Sequence, residues 1–138
     1  MNEKIITMQN HIGICDNFIM ETECHKAIKY FKEKAAFGEA YQRLQSEKAS
    51  VTQKNDTSVS INTWIDDFKI LFINFDLALQ RYIDNTGLKD YYSHFKFVPM
   101  KIQQTLPTQG YHLWHIEHGE GFYNEPRAFV YTVYLNDV

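Results

Sequence analysis

"FVPMKIQQTLPTQGYHLWHIE", from Phe97 to Glu117, is where the apolar period of the chain changes from that of a helix to two. Phe97 to Leu106 reads as a strand, with Pro99 placing its start near a sheet edge. Pro107-Thr108-Gln109-Gly110 reads as a turn, and Tyr111 to Glu117 as a second strand. Beyond a Gly- and Pro-containing loop, "RAFVYTVYLNDV" opens a third strand from Arg127 to Leu135, rich in Phe, Val, Tyr and Thr.

Upstream the signals are mostly helical. Ile12 to Phe18 suggests a short strand entering a turn at Asp16-Asn17. Thr22 can cap a helix in which Cys24, Ala27, Ile28, Phe31 and Ala35 share one face, with Gly38 at its end. A longer helix follows Asn62 or Thr63. Asp66 and Asp67 sit in its first turns, and Trp64, Ile65, Phe68, Leu71, Phe72, Phe75, Leu79, Tyr82 and Ile83 recur along it until Gly87. Between the helices Glu39 to Asn62 is polar, apart from a β-like run at Ser58–Ile61, and reads as a long mobile connection and a candidate lid. Two helices ahead of a β-rich half define an α+β class, helices packed on a sheet.

The totals narrow the function. A chain of 138 residues, 44% hydrophobic, is the size of one domain with a real core. Fourteen basic and seventeen acidic residues give a net charge of -3, mixed along the chain, so no nucleic-acid partner is expected. No membrane span and no secretory leader are visible. Cys15 and Cys24 do not form C-x-x-C, and a cytoplasmic protein with reduced thiols is the expectation.

"GYHLWHIEHGEG", Gly110 to Gly121, concentrates the metal-binding chemistry. On a strand alternate side chains share a face, so Tyr111, Leu113, His115 and Glu117 point one way and His112, Trp114, Ile116 and His118 the other. His115 and Glu117 then form an H-x-E pair. Two His and one carboxylate with open positions suit non-haem Fe(II). H-x-x-H occurs twice, but the glycines at 110, 119 and 121 disfavour the helix it needs. A cupin-type H-x-H is absent, and zinc sites of the Cys/His type lack their cysteines. Alone, H-x-E is a weak pattern that surface histidines also produce.

Its surroundings strengthen it. "KIQQTLPTQGYHLWHIE" with "RAFVYTVYLNDV", an R-x-x-x-x-T-x-Y-L-N-D string, resembles the core of the Fe(II)- and 2-oxoglutarate-dependent dioxygenases, in their prolyl 4-hydroxylase-like branch. "ICDNFIMETECHKAIKYF" and "KNDTSVSI" resemble earlier, less specific parts of that family. The resemblance implies helices packed on a partial double-stranded β-helix, or jelly-roll: a single domain over 1–138, with 1–96 as helical entry and support and 97–138 as the first core strands. It implies hydroxylation of a peptidyl or small-molecule C–H bond, using Fe(II), 2-oxoglutarate and O2, with ascorbate as an aid. His115 and Glu117 match the first two iron ligands, Glu117 standing where most of the family has Asp. Tyr134 matches a tyrosine on the 2-oxoglutarate carboxylate. Tyr111 and Gln103 line the same pocket, and Arg127 matches a substrate-side arginine.

The family's third ligand, a histidine, and its 2-oxoglutarate-binding Lys or Arg fall beyond Val138. His11, His25 and His94 have no motif to recommend them as substitutes. A C-terminally incomplete domain is therefore expected, by fragmentation, a split gene, or completion by a second chain. The alternative is an inactive remnant that binds a partner or self-associates as a homo-oligomer through open sheet edges.

Overall fold

A computed structural model describes residues 6–42, 54–61, 66–90, 100–112, 114 and 129–137. They form two helices and two small antiparallel sheets, in keeping with the α+β expectation. The chain divides into two compact units. The first holds Met1–Lys29 and Ile61–Met100, the second Tyr30–Ser60 and Lys101–Val138.

The first unit begins with a hairpin, β1 (Thr7–Gln9) against β2 (Ile12–Ile14), in the register Gln9↔Ile12. Its two loop residues, Asn10 and His11, both have positive φ (46° and 66°), as a type I′ turn requires. The strand expected over Ile12–Phe18 thus stops at Ile14. The turn at Asp16-Asn17 follows, and Phe18 is buried beyond it. Tyr82 braces the hairpin. Its hydroxyl donates to the His11 carbonyl at 2.7 Å, and a Cβ built on Gly13 would lie 2.8 Å from Tyr82 Cδ2. Only glycine accommodates that ring.

Helix α1 (Glu21–Ala36) starts one residue before the expected cap. The Met20 carbonyl receives the Glu23 and Cys24 N–H groups at 2.9 and 3.1 Å, so Thr22 lies inside the first turn. Glu21 and Glu23 there meet the positive end of the helix dipole. Ala27 and Phe31 are buried, and Gly38 ends the helix at φ 77°. Glu39 N–H bonds back to Lys34 O and Gly38 N–H to Ala35 O, a Schellman closure.

The long helix is also shorter than its periodicity suggested. Asp66–Phe68 form a 3₁₀ turn, and α2 spans Lys69–Thr86. Asp66 and Asp67 therefore precede the α-helix. Phe68 occupies its N-cap without a side-chain cap bond. The expected caps Asn62 and Thr63, with Trp64 and Ile65, lie outside the described residues. Phe68, Leu71, Phe75 and Ile83 form the buried stripe. Gly87 closes the helix at φ 73°, and both its N–H and that of Leu88 meet the Ile83 carbonyl.

The second unit is built on the sheet β3-β4-β5: β3 (Tyr41–Gln42), β4 (Thr57–Ile61) and β5 (Met100–Gln104). β3 and β4 pair antiparallel, Tyr41↔Ser58. β4 contains the β-like run expected at Ser58–Ile61, and the pairing corrects the expectation of a mobile connection for Tyr41–Gln42 and Lys54–Ile61. Lys54, Asp56, Ser58, Val59 and Ile61 are all buried. β4 is the central strand, paired on both edges; Ser58, Val59 and Ile61 are buried and Ser60 is exposed. Residues 43–53 lie outside the described set, and the lid reading holds for none of Lys54–Ile61.

Of the strand expected over Phe97–Leu106, β5 forms Met100–Gln104 with Ile102 buried, Thr105 and Leu106 carry no strand, and 97–99 lie outside the described residues. The expected turn follows. Gln109 N–H bonds to Leu106 O at 2.9 Å, Pro107 takes the first central position, and Thr108 the second at φ 70°.

The two later strands fare differently. Tyr111 makes only an isolated antiparallel bridge to Lys54, and His112 and Trp114 carry no strand. The described residues of the strand expected over Arg127–Leu135, from Phe129 onward, form none. β-propensity reflects packing on a half-buried surface. Val130 and Tyr134 are instead 63% and 69% exposed.

Candidate functional site

Three of the six residues singled out by the sequence, His115, Glu117 and Arg127, lie outside the described residues. Gln103 is exposed on β5, and its Nε2 donates to Thr105 Oγ1 at 3.2 Å. Tyr134 is 69% exposed, in a stretch without strand. Tyr111 is partly exposed and sits where the chain leaves the turn after β5.

The other histidines do not assemble. His11 lies in the first hairpin loop, His25 is 3.8 Å from Glu21 on the exposed side of α1, and His112 is exposed. His94 and His118 lie outside the described residues. Among the described residues no group of three or more His, Cys, Asp and Glu could hold a metal ion.

What the second unit does build is a buried polar cluster ahead of β4. Lys54 Nζ lies 3.2 Å from Asp56 Oδ2, with side chains only 9% and 2% exposed. Asp56 Oδ1 accepts from Ser58 Oγ at 3.1 Å. The Lys54–Asp56 contact is within ion-pair distance but lacks hydrogen-bond geometry, and Oδ2 has no hydrogen-bond partner. The attraction is therefore chiefly Coulombic. Lys54 Nζ also stands 5.2 Å from the centroid of the Tyr111 ring, a cation–π distance.

Next to it Asn55 holds Gly110 at two points. Gly110 N–H donates to Asn55 Oδ1 at 2.8 Å, and Asn55 N–H donates to Gly110 O at 3.2 Å. Gly110 has φ 147°, a conformation that glycine adopts readily. Chemically this cluster holds geometry: its charges cancel each other. The sequence reading passed over it. Its one signal is the alternation Lys54, Asp56, Ser58, three polar residues at strand period inside a stretch whose polarity looked like loop.

Cys15 and Cys24 are free thiols. Burial pushes both above the ordinary thiol range. Arg81 partly offsets this for Cys15 while Asp16 adds to it. For Cys24 a bond to its own backbone opposes burial, and Glu21 and Glu23 reinforce it.

No protein-family model, no curated protein and no solved structure matches the chain. Among the described residues no helix is long and apolar enough to cross a membrane.

Proposed function

We propose that the chain carries the opening part of an Fe(II)- and 2-oxoglutarate-dependent dioxygenase core of the prolyl 4-hydroxylase-like kind, on a partial jelly-roll. One observation carries the proposal: the H-x-E pair His115/Glu117 is followed, at strand distance, by the Arg127-to-Asp137 string R-x-x-x-x-T-x-Y-L-N-D. The donor chemistry fits. An imidazole nitrogen and a carboxylate oxygen are ligand types of non-haem Fe(II) sites. Tyr111 and Tyr134 keep 44% and 69% exposure, enough for each to meet a small dicarboxylate.

Bound iron with 2-oxoglutarate and O2 would supply the oxidation of a peptidyl or small-molecule C–H bond to an alcohol. The chain's own residues bind and orient. On this reading His115 and Glu117 would hold the metal, Tyr134, Tyr111 and Gln103 would contact the co-substrate, and Arg127 the substrate. A cytoplasmic setting suits the two free thiols.

The test is succinate formation from 2-oxoglutarate with Fe(II) and ascorbate, alongside Co(II) titration of the chain. Activity and metal binding that His115→Ala abolishes are the expected result. Wild type and His115→Ala behaving alike in both would sink the proposal.

Exposed apolar side chains favour a second reading, the inactive self-associating remnant. Trp114 is fully exposed, and Val130, Tyr134 and Leu106 are more than half exposed. Light scattering separates the two: a mass that rises with concentration and no metal binding supports the remnant, and a metal-binding monomer excludes it.

A further inference from the structure

We propose that the solvent face of α2 is a contact through which two copies of this chain pair, helix against antiparallel helix. The surface lies wholly in the first unit and does not depend on the iron site.

α2 carries large apolar side chains on two faces. Leu71, Phe75 and Ile83 are buried, whereas Ile70, Ile73 and Leu77 are 46%, 51% and 42% exposed. Single exposed aliphatic residues are ordinary on a protein surface. These three are not scattered. Residues three and four apart are neighbours on a helix, so they form one continuous ridge along α2. A helix that is apolar on both faces is a helix covered on both.

The charges beside the ridge select the partner. Lys69 is exposed next to Ile70. Asp76 is half-buried next to Leu77, and its Oδ2 accepts from Gln80 Nε2 at 2.6 Å. At 3.6 residues per turn Lys69 and Asp76 stand on the same flank of the ridge, about two turns apart. A parallel second copy would set Lys69 beside Lys69 and Asp76 beside Asp76. An antiparallel copy turned about Ile73 sets Ile73 against its counterpart, Ile70 against Leu77 and Lys69 against Asp76. These pairings share one register, so apolar and charge complementarity coincide in an isologous contact. The opposed helix dipoles favour the same orientation. One helix pair of this length lies below the roughly 1,600 Å² of a standard interface, so the dimer should dissociate on dilution.

Analytical ultracentrifugation of the full 138-residue chain, up to about 1 mM, tests this, with helix content by circular dichroism for each variant. Wild type should move from one chain mass toward two as concentration rises. Ile73→Asp, at a half-exposed position where the helix still folds, sets two carboxylates against each other and should stay monomeric. Lys69→Glu and Asp76→Lys should each raise the dissociation constant by about 2- to 30-fold, the range for two exposed ion pairs. Lys69→Glu/Asp76→Lys in one chain should restore the wild-type value, which a merely structural role for either residue would not do. Trp114→Ala, which leaves α2 untouched, should change nothing. Wild type that stays monomeric throughout overturns the inference. So does association that survives Ile73→Asp, or a double reversal no tighter than the single ones. Association lost in Trp114→Ala but kept in Ile73→Asp overturns it too, in favour of contact through the other exposed apolar side chains.

Discussion

Breaking the Lys54–Asp56 pair should cost far more than removing it whole. With 3.2 Å between Nζ and Oδ2 and an effective dielectric of about 20, the attraction is about 5 kcal/mol, set against the desolvation of two charges. Asp56→Leu leaves a buried ammonium without its counter-charge and takes the acceptor from Ser58 Oγ. Lys54→Met leaves a carboxylate that is 2% exposed, still accepting from Ser58 Oγ but without its counter-charge. Each single change should destabilise by about 3–5 kcal/mol, a large share of the roughly 5–15 kcal/mol typical of a domain. Urea unfolding reads this directly. At a slope of about 1–3 kcal/mol per molar, the midpoint should fall by at least about 1 M. The double variant Lys54→Met/Asp56→Leu should recover most of the loss, because no lone charge stays buried. Single variants costing under about 1 kcal/mol, or a double variant costing the sum of the two, would mean that neither single change strands a buried charge.

Gly13→Ala should destabilise the first hairpin by about 1–3 kcal/mol, because the new Cβ meets Tyr82 Cδ2 at 2.8 Å. A lowered melting temperature checks it, and Tyr82→Ala in the same chain should remove most of the added penalty. Thr108→Gly should raise stability by up to about 1 kcal/mol, since a β-branched residue at φ 70° is strained and glycine is not. The melting temperature reads this as well. The two thiols predict a fall in stability at alkaline pH. Their folded values are raised, so the unfolded chain loses its thiol protons first. Their contribution is intact below the unfolded value and is lost as pH rises through the folded one. Melting curves across that range should fall more steeply for wild type than for Cys15→Ala/Cys24→Ala; parallel curves would contradict it.

Local signals determined much of this protein. Helical period and the glycines at 38 and 87 marked both helices and their C-terminal ends, because the 3.6-residue repeat and the αL closure are properties of the chain itself. Pro107 to Gly110 specified the turn for the same reason. The first hairpin was half legible: Ile12–Ile14 stood out, while Thr7–Gln9 is too short to show alternation. Of the site, Tyr111, Gln103, Tyr134 and the pair His115/Glu117 could be named from motif alone, since residue type and spacing define a motif. That Lys54, Asp56, Ser58, Val59 and Ile61 are buried could be read from the tertiary structure alone. A polar side chain is tolerated in the core when its partners come with it; Asp56 comes with Lys54 two residues along the chain, whereas Gly110 reaches Asn55 only through the tertiary fold. The same dependence worked in the other direction at Phe129–Leu135: β-rich residues form a strand only where a neighbouring edge and a covered face receive them.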